Sequence, residues 1–494
     1  MPMLGQFIDG QHMTGSGGTI EVTNPADGSV VATLGEATVD DVATAVSAAR
    51  RAFGEWSGAT PGERAAALSA LADRMAARAE EYAQVETAQS GKPIKLTREF
   101  DVPGSIDNVR FFAGAARVLT GMAQAEYDGT HTSSIRREPI GVLGSIAPWN
   151  YPLQMAMWKI LPAVAAGNTI VLKPAELTPL TSLMVAEDAL AAGIPAGVIN
   201  VLTGPGRTVG EALISHQDVS MVSFTGSTPV GRRVMELATG TVKRVHLELG
   251  GKAPFVVFDD ADLDAAAHGA VAGALINTGQ DCTAATRAYV QRPHLDAFVE
   301  KVAALFDTVR LGDPTDPHTD QGPLISMRQR ESVHGYVERA LAAGAKVVRG
   351  GEVPGDVLAG GSYYPPTLVV DAAQDSEIVQ EELFGPVLVV LGFDTDDEGI
   401  ALANDVPYGL ASSAWTTNTF RAQRASREIA AGCVWINDHI PIVSEMPHGG
   451  YKASGFGKDM SMYSLEEYTN IKHVSSDITG DVRKDWHRTI FGDR

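Results

Sequence analysis

The chain has 494 residues, a 44% hydrophobic fraction and a formal net charge of −21, which predict a soluble globular protein of more than one domain. Such an acidic chain lacks the basic surfaces that nucleic acids and anionic membranes require, so we expect neither as a partner. No signal peptide and no membrane-spanning apolar run is evident, and the two cysteines make no disulfide framework. We therefore expect a cytoplasmic protein, and we expect no metal site because clusters with ligand spacing are absent.

The first part of the chain is predicted to be largely helical. Residues 37–81 contain two Ala-rich segments with apolar positions at helical spacing, and residues 102–121 predict another helix. Residues 130–137 alternate polar side chains and carry paired arginines. This last pattern fits a strand that projects from the body or, equally, a surface hairpin.

From residue 140 onward, apolar β-branched runs alternate with Ala- and Leu-rich segments. The predicted strands are 140–147, 169–173, 198–202 and 219–225, and the predicted helices are 151–166, 179–192, 208–216 and 230–239. This alternation predicts a parallel sheet covered by helices on both faces. A second alternation is predicted over residues 253–437, and the polar tail over 475–494 is expected to be peripheral.

Cys282 lies in a Gly-rich and polar turn, residues 277–283, after a helical apolar approach. A thiol there can be reached by solvent and can lie near backbone N–H groups, which favour the thiolate. An isolated cysteine is more often a small buried hydrophobe, and that is our interpretation of Cys433 in its strand-like segment. The other motifs of the chain favour a nucleophile at position 282.

Two polar motifs at predicted strand ends fit a nucleotide site. Gly226, Ser227 and Gly231 lie between a strand and a helix, where backbone N–H groups can meet an anion, although a tight turn explains the same spacing. Lys173 and Glu176 follow another strand and can hydrogen-bond a ribose, although solvated charges at a strand end are the alternative.

Three further motifs carry groups suited to carbonyl chemistry or to a planar cofactor. Glu248 lies beside paired glycines and suits a general base, although it can equally be an ordinary strand-end carboxylate. Asn150 follows Trp149 at a strand end and can donate to an oxyanion. Glu382 and Phe384 precede a Gly-Pro break, where the ring can contact a cofactor or pack in the core.

In this order and at these separations, the motifs resemble the aldehyde dehydrogenase superfamily over about residues 7–474. Within it the chain looks most like the γ-aminobutyraldehyde dehydrogenases, on the stretches 110–117, 279–285, 443–450 and 457–461. The resemblance implies an α/β fold with a Rossmann-like cofactor domain (1–118 and 139–250) and an α/β catalytic domain (251–440). It further implies a small β oligomerisation flap with the C-terminal tail (119–138 and 465–494), and hence a homo-oligomer, a dimer or tetramer.

The resemblance also implies roles for individual residues. Cys282 would attack the aldehyde, Asn150 and the backbone N–H of Cys282 would stabilise the oxyanion, and Glu248 would activate the water that hydrolyses the thioester. The cofactor would be NAD. Its contacts would come from Trp149, Lys173, Glu176, Gly226, Ser227, Gly231, Glu382 and Phe384. Because a carboxylate at Glu176 would repel a 2′-phosphate, we expect NAD rather than NADP.

The substrate end is less constrained by the sequence. Tyr151 and Trp158 are two helical turns apart and share a face, where they could border an aldehyde tunnel or simply belong to the core. An aminoaldehyde such as 4-aminobutanal also needs a carboxylate near its amine. The candidates are Asp101, Asp107, Asp438 and Glu445. Asp107 could instead pair with Arg110 three residues on.

Other functions stay open at this point. Betaine aldehyde, succinate semialdehyde and aliphatic aldehydes are alternative substrates, and a fold without catalysis is a more remote alternative because Cys282 and Glu248 are both present. Asp459 departs from the family, which often has Glu there.

Overall fold

A computed structural model describes residues 5–355 and 358–492. The amino-terminal part consists of two antiparallel strand pairs followed by a run of helices. The strands are β1 (Gln6–Ile8), β2 (Gln11–Met13), β3 (Thr19–Thr23) and β4 (Val30–Gly35). The helices are α1 (Val39–Trp56), α2 (Pro61–Ala77), α3 (Ala79–Ser90), α4 (Ile94–Leu96) and α5 (Val102–Ala115), with a π-helical turn (Thr97–Asp101) before α5. Thr38 and Thr60 begin α1 and α2 with capping boxes, which satisfy otherwise unpaired N–H groups.

The last of these helices is shorter than predicted. The sequence predicts a helix to residue 121, but α5 ends at Ala115. The N–H groups of Arg117 and Val118 bond to carbonyls only three residues back. This tightened turn ends the helix before the chain enters the next strand.

The predicted alternation from residue 140 is present, preceded by two strands. In chain order the elements are β5 (Ala125–Asp128), β6 (His131–Pro139), β7 (Val142–Ile146), α6 (Pro152–Ala165), β8 (Thr169–Lys173), α7 (Leu180–Ala191), β9 (Ile199–Val201), α8 (Glu211–Ser215), β10 (Val219–Thr225), α9 (Thr228–Ala238) and β11 (Arg244–Glu248). The predicted helix over 208–216 is a π-helical turn (Gly206–Gly210) followed by α8. Every residue of α6 is buried, as expected for a helix that is apolar around most of its circumference.

A second α/β region follows and ends with strands that return to the first. Its elements are β12 (Ala253–Val257), α10 (Leu263–Leu275), β13 (Ala285–Gln291), α11 (Leu295–Phe306), α12 (Met327–Ala342), β14 (Lys346–Arg349), β15 (Thr367–Val370), α13 (Glu377–Gln380), β16 (Val387–Phe393), α14 (Asp396–Asn404), β17 (Tyr408–Gly409), β18 (Ala411–Trp415), α15 (Thr419–Glu428), β19 (Cys433–Ile436), β20 (Tyr451–Lys452), β21 (Gly455–Phe456), α16 (Ser461–Glu467), β22 (Thr469–Asp477) and α17 (Arg488–Phe491). Cys433 lies in β19, as predicted, but it is only partly buried.

Two large sheets organise these elements. The first has the order β2-β1-β9-β8-β7-β10-β11-β21, and its strands from β9 to β11 are parallel. The second has the order β14-β15-β16-β13-β12-β18-β19 and is parallel except at β14. The edge strand β21 pairs with β11 although more than 200 residues separate them in the chain, a return that the sequence pattern does not indicate.

A three-stranded antiparallel sheet stands apart from these two and has the order β22-β6-β5. Residues 130–137 therefore form a strand, paired over nine positions with β22. Several large apolar side chains around this sheet and in the tail are exposed: Leu119, Met122, Tyr127, Ile471, Val482, Trp486 and Ile490. The tail is peripheral, as predicted.

Candidate active site

A cavity of about 620 Å³ lies where the carboxyl ends of β7, β10 and β11 face the loops that precede β13 and β16. In open α/β sheets, this end of the parallel strands is where ligands bind. Ten residues singled out from the sequence line this cavity. They are Trp149, Asn150, Tyr151, Trp158, Gly226, Ser227, Glu248, Cys282, Glu382 and Phe384. The fold thus brings together motifs that span more than 230 residues of the chain.

A strained turn presents Cys282 to the cavity. After α10, Asn277 (φ 49°), Thr278 (φ 58°) and Gly279 (φ 68°) are all left-handed, a conformation that non-glycine residues adopt only when their surroundings enforce it. Asn277 Nδ2 donates to Asn150 O at 2.8 Å, and Thr278 Oγ1 donates to Gly322 O at 3.1 Å. A Cβ on Gly279 would lie 2.3 Å from Gly385 O, so only glycine fits. The turn is rigidly positioned before the nucleophile.

The electrostatic surroundings of Cys282 differ from the sequence expectation. Its backbone N–H does favour the thiolate, but burial raises the pKa of the thiol, and the Asp281, Glu248 and Glu382 carboxylates raise it further. The pKa is well above its ordinary value as a result. Cys282 is therefore held as a thiol until a positive charge enters the cavity or a base removes its proton.

Asn150 lies 5% exposed at the carboxyl end of β7. One of its amide N–H groups donates to Gln280 O at 3.1 Å, which orients the side chain along the nucleophile turn. A primary amide has a second N–H donor. Asn150 and the Cys282 backbone can therefore both donate to an oxygen bound near Sγ.

Glu248 ends β11 and is 1% exposed, yet neither carboxylate oxygen has a hydrogen-bond partner among the described residues. His448 Nε2 lies 3.4 Å from Glu248 Oε1 without hydrogen-bond alignment, and it also has no partner in the described chain. Burial of the His448 ring lowers its pKa, but the nearby Glu248 carboxylate outweighs this effect, and the pKa of His448 is raised on balance. Buried polar atoms without partners are uncommon. The free Glu248 and His448 atoms at this end of the cavity can therefore bind a polar ligand. The sequence motif around residue 448 contained this histidine, but no spacing rule singled it out.

Glu382 and Phe384 form the opposite wall. Glu382 Oε1 accepts a hydrogen bond from Gly251 N at 2.8 Å, and burial raises the pKa of its carboxyl to about 7. The rings of Phe384 and Trp149 meet edge to face, with centroids 5.2 Å apart. Gln329 of α12 donates to the backbone oxygens of Leu383 and Phe384 and fixes this loop.

The glycine turn after β10 is tightly packed, and part of it borders the cavity. A Cβ on Gly226 would lie 2.6 Å from the Phe224 ring, and one on Gly231 would lie 2.6 Å from Leu249, so tight packing requires both glycines. Gly226 and Ser227 also line the cavity, whereas Gly231 does not. Thr225 Oγ1 lines it too, buried and without a partner in the described chain, and sequence reasoning missed this residue.

Lys173 and Glu176 lie beyond the lining of the cavity, at the carboxyl end of β8. Lys173 Nζ donates to Pro174 O and Gly204 O at 2.8 and 2.9 Å, and burial lowers its pKa to about 8. Glu176 Oε1 accepts from Gly206 N at 2.8 Å. The adjacent Leu177 does line the cavity, so both side chains belong to a segment that borders it.

None of the four carboxylates proposed for an amine lines the cavity. Asp101 is fully buried and its Oδ2 lies 2.5 Å from Lys92 Nζ. Asp107 is exposed and accepts from Ser444 Oγ at 2.5 Å, rather than pairing with Arg110 as the sequence allowed. Asp438 and Glu445 are exposed outside the lining. These candidates lie on neighbouring segments, but their side chains have other partners or face solvent.

A different carboxylate, Asp281, lines the cavity immediately before Cys282. Tyr151 Oη donates to Asp281 Oδ2 at 2.7 Å, and Thr283 N donates to Oδ1 at 2.7 Å. These partners are neutral. The ammonium of Lys92 lies 3.8 Å from the centre of the Tyr151 ring, and its charge partner is Asp101 rather than Asp281. Asp281 therefore offers a held but unpaired negative charge to a ligand.

Trp158 adds a second aromatic ring to the lining of the cavity. Its Nε1 donates to Asn108 Oδ1 at 2.8 Å, and Asn108 in turn donates to Ser444 Oγ at 2.7 Å. The Trp158 ring also lies 5.1 Å from the His448 ring. Tyr151 and Trp158 thus both line the cavity and are held by their polar atoms, which distinguishes them from plain core aromatics.

Comparison with known proteins agrees with this geometry. The model of the aldehyde dehydrogenase family matches residues 12–474. The chain belongs to the aldehyde dehydrogenase family. The protein named "Putative aldehyde dehydrogenase DhaS", from Bacillus subtilis (strain 168), is 42% identical over 471 residues, which cover 95% of this chain and 94% of that one.

Solved aldehyde dehydrogenases share the whole fold. The NAD-dependent aldehyde dehydrogenase from Sinorhizobium meliloti is 41% identical, with a TM-score of 0.95 over 97% of this chain and 96% of that one. Betaine aldehyde dehydrogenase from Staphylococcus aureus, solved with NAD+, is 38% identical, with a TM-score of 0.94 over 97% and 95%. The predicted aldehyde dehydrogenase fold is thereby confirmed. In the described ranges, no helix has the length and apolarity that crossing a membrane demands.

Proposed function

We propose that this aldehyde dehydrogenase uses NAD to oxidise an ω-aminoaldehyde, with 4-aminobutanal as the model substrate, to the amino acid. The observation that carries the substrate class is Asp281. Its carboxylate lines the cavity beside the nucleophile and has only neutral direct partners among the described residues. A cationic group of the substrate would provide a counter-charge for this partly buried carboxylate.

The aromatic lining supports the same class. Tyr151 and Trp158 offer ring faces to a cation, a contact worth about 0.5–2 kcal/mol. Ile440 and Ile442 add apolar surface for the methylene chain. The two aromatic rings and the carboxylate also suit the quaternary ammonium of betaine aldehyde, and a structural relative carries that name, so betaine aldehyde is the second candidate.

Succinate semialdehyde is disfavoured by the distribution of charge. Arg328 is the arginine in the cavity lining, and it is exposed on α12 near Gln329, whose amide holds the Leu383–Phe384 loop. Solvent therefore screens its charge more than that of the partly buried Asp281. The carboxylate of succinate semialdehyde would be repelled by Asp281, whereas the ammonium of 4-aminobutanal would be attracted to it.

The chemistry follows from Cys282 and its neighbours. Once the Cys282 thiol has lost its proton to a base, its sulfur attacks the aldehyde carbon, and the resulting oxyanion accepts hydrogen bonds from the Asn150 amide and the Cys282 N–H. Each donor is worth about 3–4 kcal/mol in comparable acyl chemistry. Loss of hydride from that carbon leaves a thioester on sulfur. Glu248 then takes a proton from the water that attacks the thioester, and Cys282 leaves as the thiolate.

The residues of the opposite wall fit NAD, which supplies the hydride acceptor when bound. Unpartnered Thr225 Oγ1, the Ser227 side chain and the start of α9 offer donors to phosphate oxygens. Glu382 would accept from one ribose, with Phe384 and Trp149 against the nicotinamide. Lys173 and Glu176 would hold the adenosine ribose past Leu177, and the negative charge of Glu176 favours NAD over NADP.

We further propose that three parts of the chain, each built around one of the three sheets, have separate functions. The first sheet and its helices (1–118 and 139–250) would bind the cofactor, residues 251–440 would carry the nucleophile, and 119–138 with 465–494 would form the oligomerisation flap. The exposed apolar side chains around β5, β6 and β22 support a homo-oligomer, since large exposed apolar patches mark interaction sites. Light scattering after size exclusion would contradict this if it showed a monomer.

The test of the substrate class is NADH formation at matched concentrations of 4-aminobutanal, betaine aldehyde, succinate semialdehyde and hexanal. The expected order of kcat/KM places 4-aminobutanal first. In D281N we expect kcat/KM for 4-aminobutanal to fall about tenfold or more relative to hexanal, because a charged hydrogen bond is worth about 1.5–3 kcal/mol. Comparing the two substrates in one variant removes any general effect on Cys282.

The matched control is D438N, which removes a carboxylate that is exposed outside the cavity lining. It should leave the ratio of the two kcat/KM values unchanged. An equal loss for hexanal and 4-aminobutanal in D281N would refute recognition by Asp281. Preferential turnover of hexanal or succinate semialdehyde by the unaltered enzyme would refute the substrate class while leaving the Cys282 mechanism intact.

A further inference from the structure

The nucleophile, the proposed base and a histidine make a second kind of site in the same cavity. Cys282 Sγ, a carboxylate oxygen of Glu248 and a ring nitrogen of His448 all lie within 4.8 Å of one another. Thiolate, imidazole and carboxylate are the three ligand types that zinc takes in proteins. Three such ligands with a fourth position open to solvent are typical of accessible zinc sites rather than of closed structural ones.

The unpaired atoms of this group point to a ligand independently of its composition. Both Glu248 oxygens and His448 Nε2 are buried and lack hydrogen-bond partners within the described chain. Glu248 is 1% exposed and His448 is 5% exposed. A cation bound at the centre would give His448 Nε2 and one Glu248 oxygen a partner at once, which no described protein group does.

The scaffold around His448 is already fixed. Its backbone exchanges two hydrogen bonds with Asp459, N to O at 2.9 Å and O from N at 2.7 Å. Asp459 is fully buried and its carboxylate lies 2.9 Å from Lys159 Nζ. Such support holds a metal ligand in place and raises affinity. The ligands also come from segments up to 200 residues apart, which explains why ligand spacing predicted no metal.

We propose that Cys282, His448 and Glu248 bind a borderline-soft divalent cation, Zn²⁺, and that this binding reversibly inhibits the enzyme. On binding, a Zn–S bond forms, the thiol proton leaves to solvent, His448 and Glu248 each donate an electron pair, and water completes the tetrahedron. No oxidation or reduction takes place. The cation occupies the nucleophile and the base together, so Zn²⁺ and aldehyde exclude each other.

Cobalt provides a readout that does not depend on turnover. Co²⁺ added to the cofactor-free full-length protein should produce tetrahedral d–d bands in the visible region and a thiolate-to-cobalt charge-transfer band in the near ultraviolet. The charge-transfer band should be present in C433S and lost in C282S. Zn²⁺ should bind once per chain by calorimetry, release a proton, protect Cys282 from iodoacetamide and be removed by a chelator.

Variants of the histidine decide whether it is a ligand. In H448Q and H448N, checked for folding by circular dichroism and Tm, Zn²⁺ affinity should fall at least about tenfold. H268Q, which changes an exposed histidine of α10, should bind as the unaltered protein does. The proposal would be overturned if H448Q and H448N bound Zn²⁺ as tightly as the unaltered protein does. Co²⁺ binding to the unaltered protein without the charge-transfer band would also overturn it. Neither result depends on which aldehyde is the substrate.

Discussion

Replacing Glu248 with Gln should make Cys282 more reactive toward alkylation, even though it removes the proposed base. Burial and the surrounding carboxylates, Glu248 among them, raise the pKa of the Cys282 thiol. The neutral amide of Gln removes one of those charges while keeping the size of the side chain. The pKa of Cys282 should therefore fall in E248Q, and more thiolate should be present at neutral pH.

Coulomb's law gives the size of this effect. The ligand atoms of Cys282, Glu248 and His448 all lie within 4.8 Å of one another. Two unit charges at that distance interact by about 3.5 kcal/mol at an effective dielectric constant of about 20. That energy corresponds to a roughly 300-fold change in thiolate fraction. A thiolate of lower pKa is also a weaker nucleophile, with a Brønsted slope of about 0.4–0.5. This loss of nucleophilicity cancels close to half of the increase in thiolate fraction on a logarithmic scale. Alkylation of Cys282 should therefore be roughly ten- to thirtyfold faster in E248Q.

The assay is the rate of iodoacetamide labelling of the cofactor-free protein, followed by mass spectrometry of the peptide that contains Cys282. Cys433 is an internal reference in the same sample, because burial raises the pKa of its thiol to about 11 for reasons that do not involve Glu248. E381Q is the matched variant, since Glu381 is exposed and outside the cavity. An unchanged Cys282 rate in E248Q, or an equal increase in E381Q, would refute this electrostatic reasoning.

Three further predictions follow from the cofactor wall and the core. E176Q should raise kcat/KM with NADP relative to NAD severalfold, measured by absorbance at 340 nm, and a native preference for NADP would contradict the role of Glu176. Because burial raises the pKa of Glu382 to about 7, its carboxyl is protonated below pH 7 and becomes a better acceptor above it. The Kd for NAD, measured by calorimetry from pH 6 to 8, should therefore fall as pH rises, and E382Q should lose that dependence. The same dependence of Kd on pH in E382Q and in the unaltered enzyme would contradict this role of Glu382. K159M removes the Lys159 ammonium that pairs with the buried Asp459 carboxylate. The free energy of unfolding, measured in urea, should fall by about 3–5 kcal/mol. A decrease of less than about 1 kcal/mol would show that the pair is dispensable for stability.

Sequence reasoning succeeded where a feature is local. The strands β7, β8 and β10 and their helices follow from alternating apolar runs, and turn chemistry at their carboxyl ends marks Gly226 and Asn150. The left-handed turn before Cys282 is readable as a polar, Gly-containing stretch, although its anchoring to Gly322 and Gly385 is not.

Failures arose where function depends on side chains meeting across the fold. Asp281 is adjacent to Cys282 in the printed sequence, but its value as a held carboxylate depends on Tyr151, 130 residues away. Asp101 has the right charge on a nearby helix, yet its partner Lys92 takes it out of the cavity. His448 meets Glu248 only because β21 brings its segment back to the first sheet.

The most direct test of the account is to trap the acyl group on Cys282. E248Q mixed with NAD and the best aldehyde of the panel should release NADH in a burst of about one per active site and then slow. The peptide containing Cys282 should then carry the mass of the acyl group, and C282S should show neither the burst nor the label. Undiminished turnover by C282S, or a label on any residue other than Cys282, would contradict the central claim that this thiol carries the reaction.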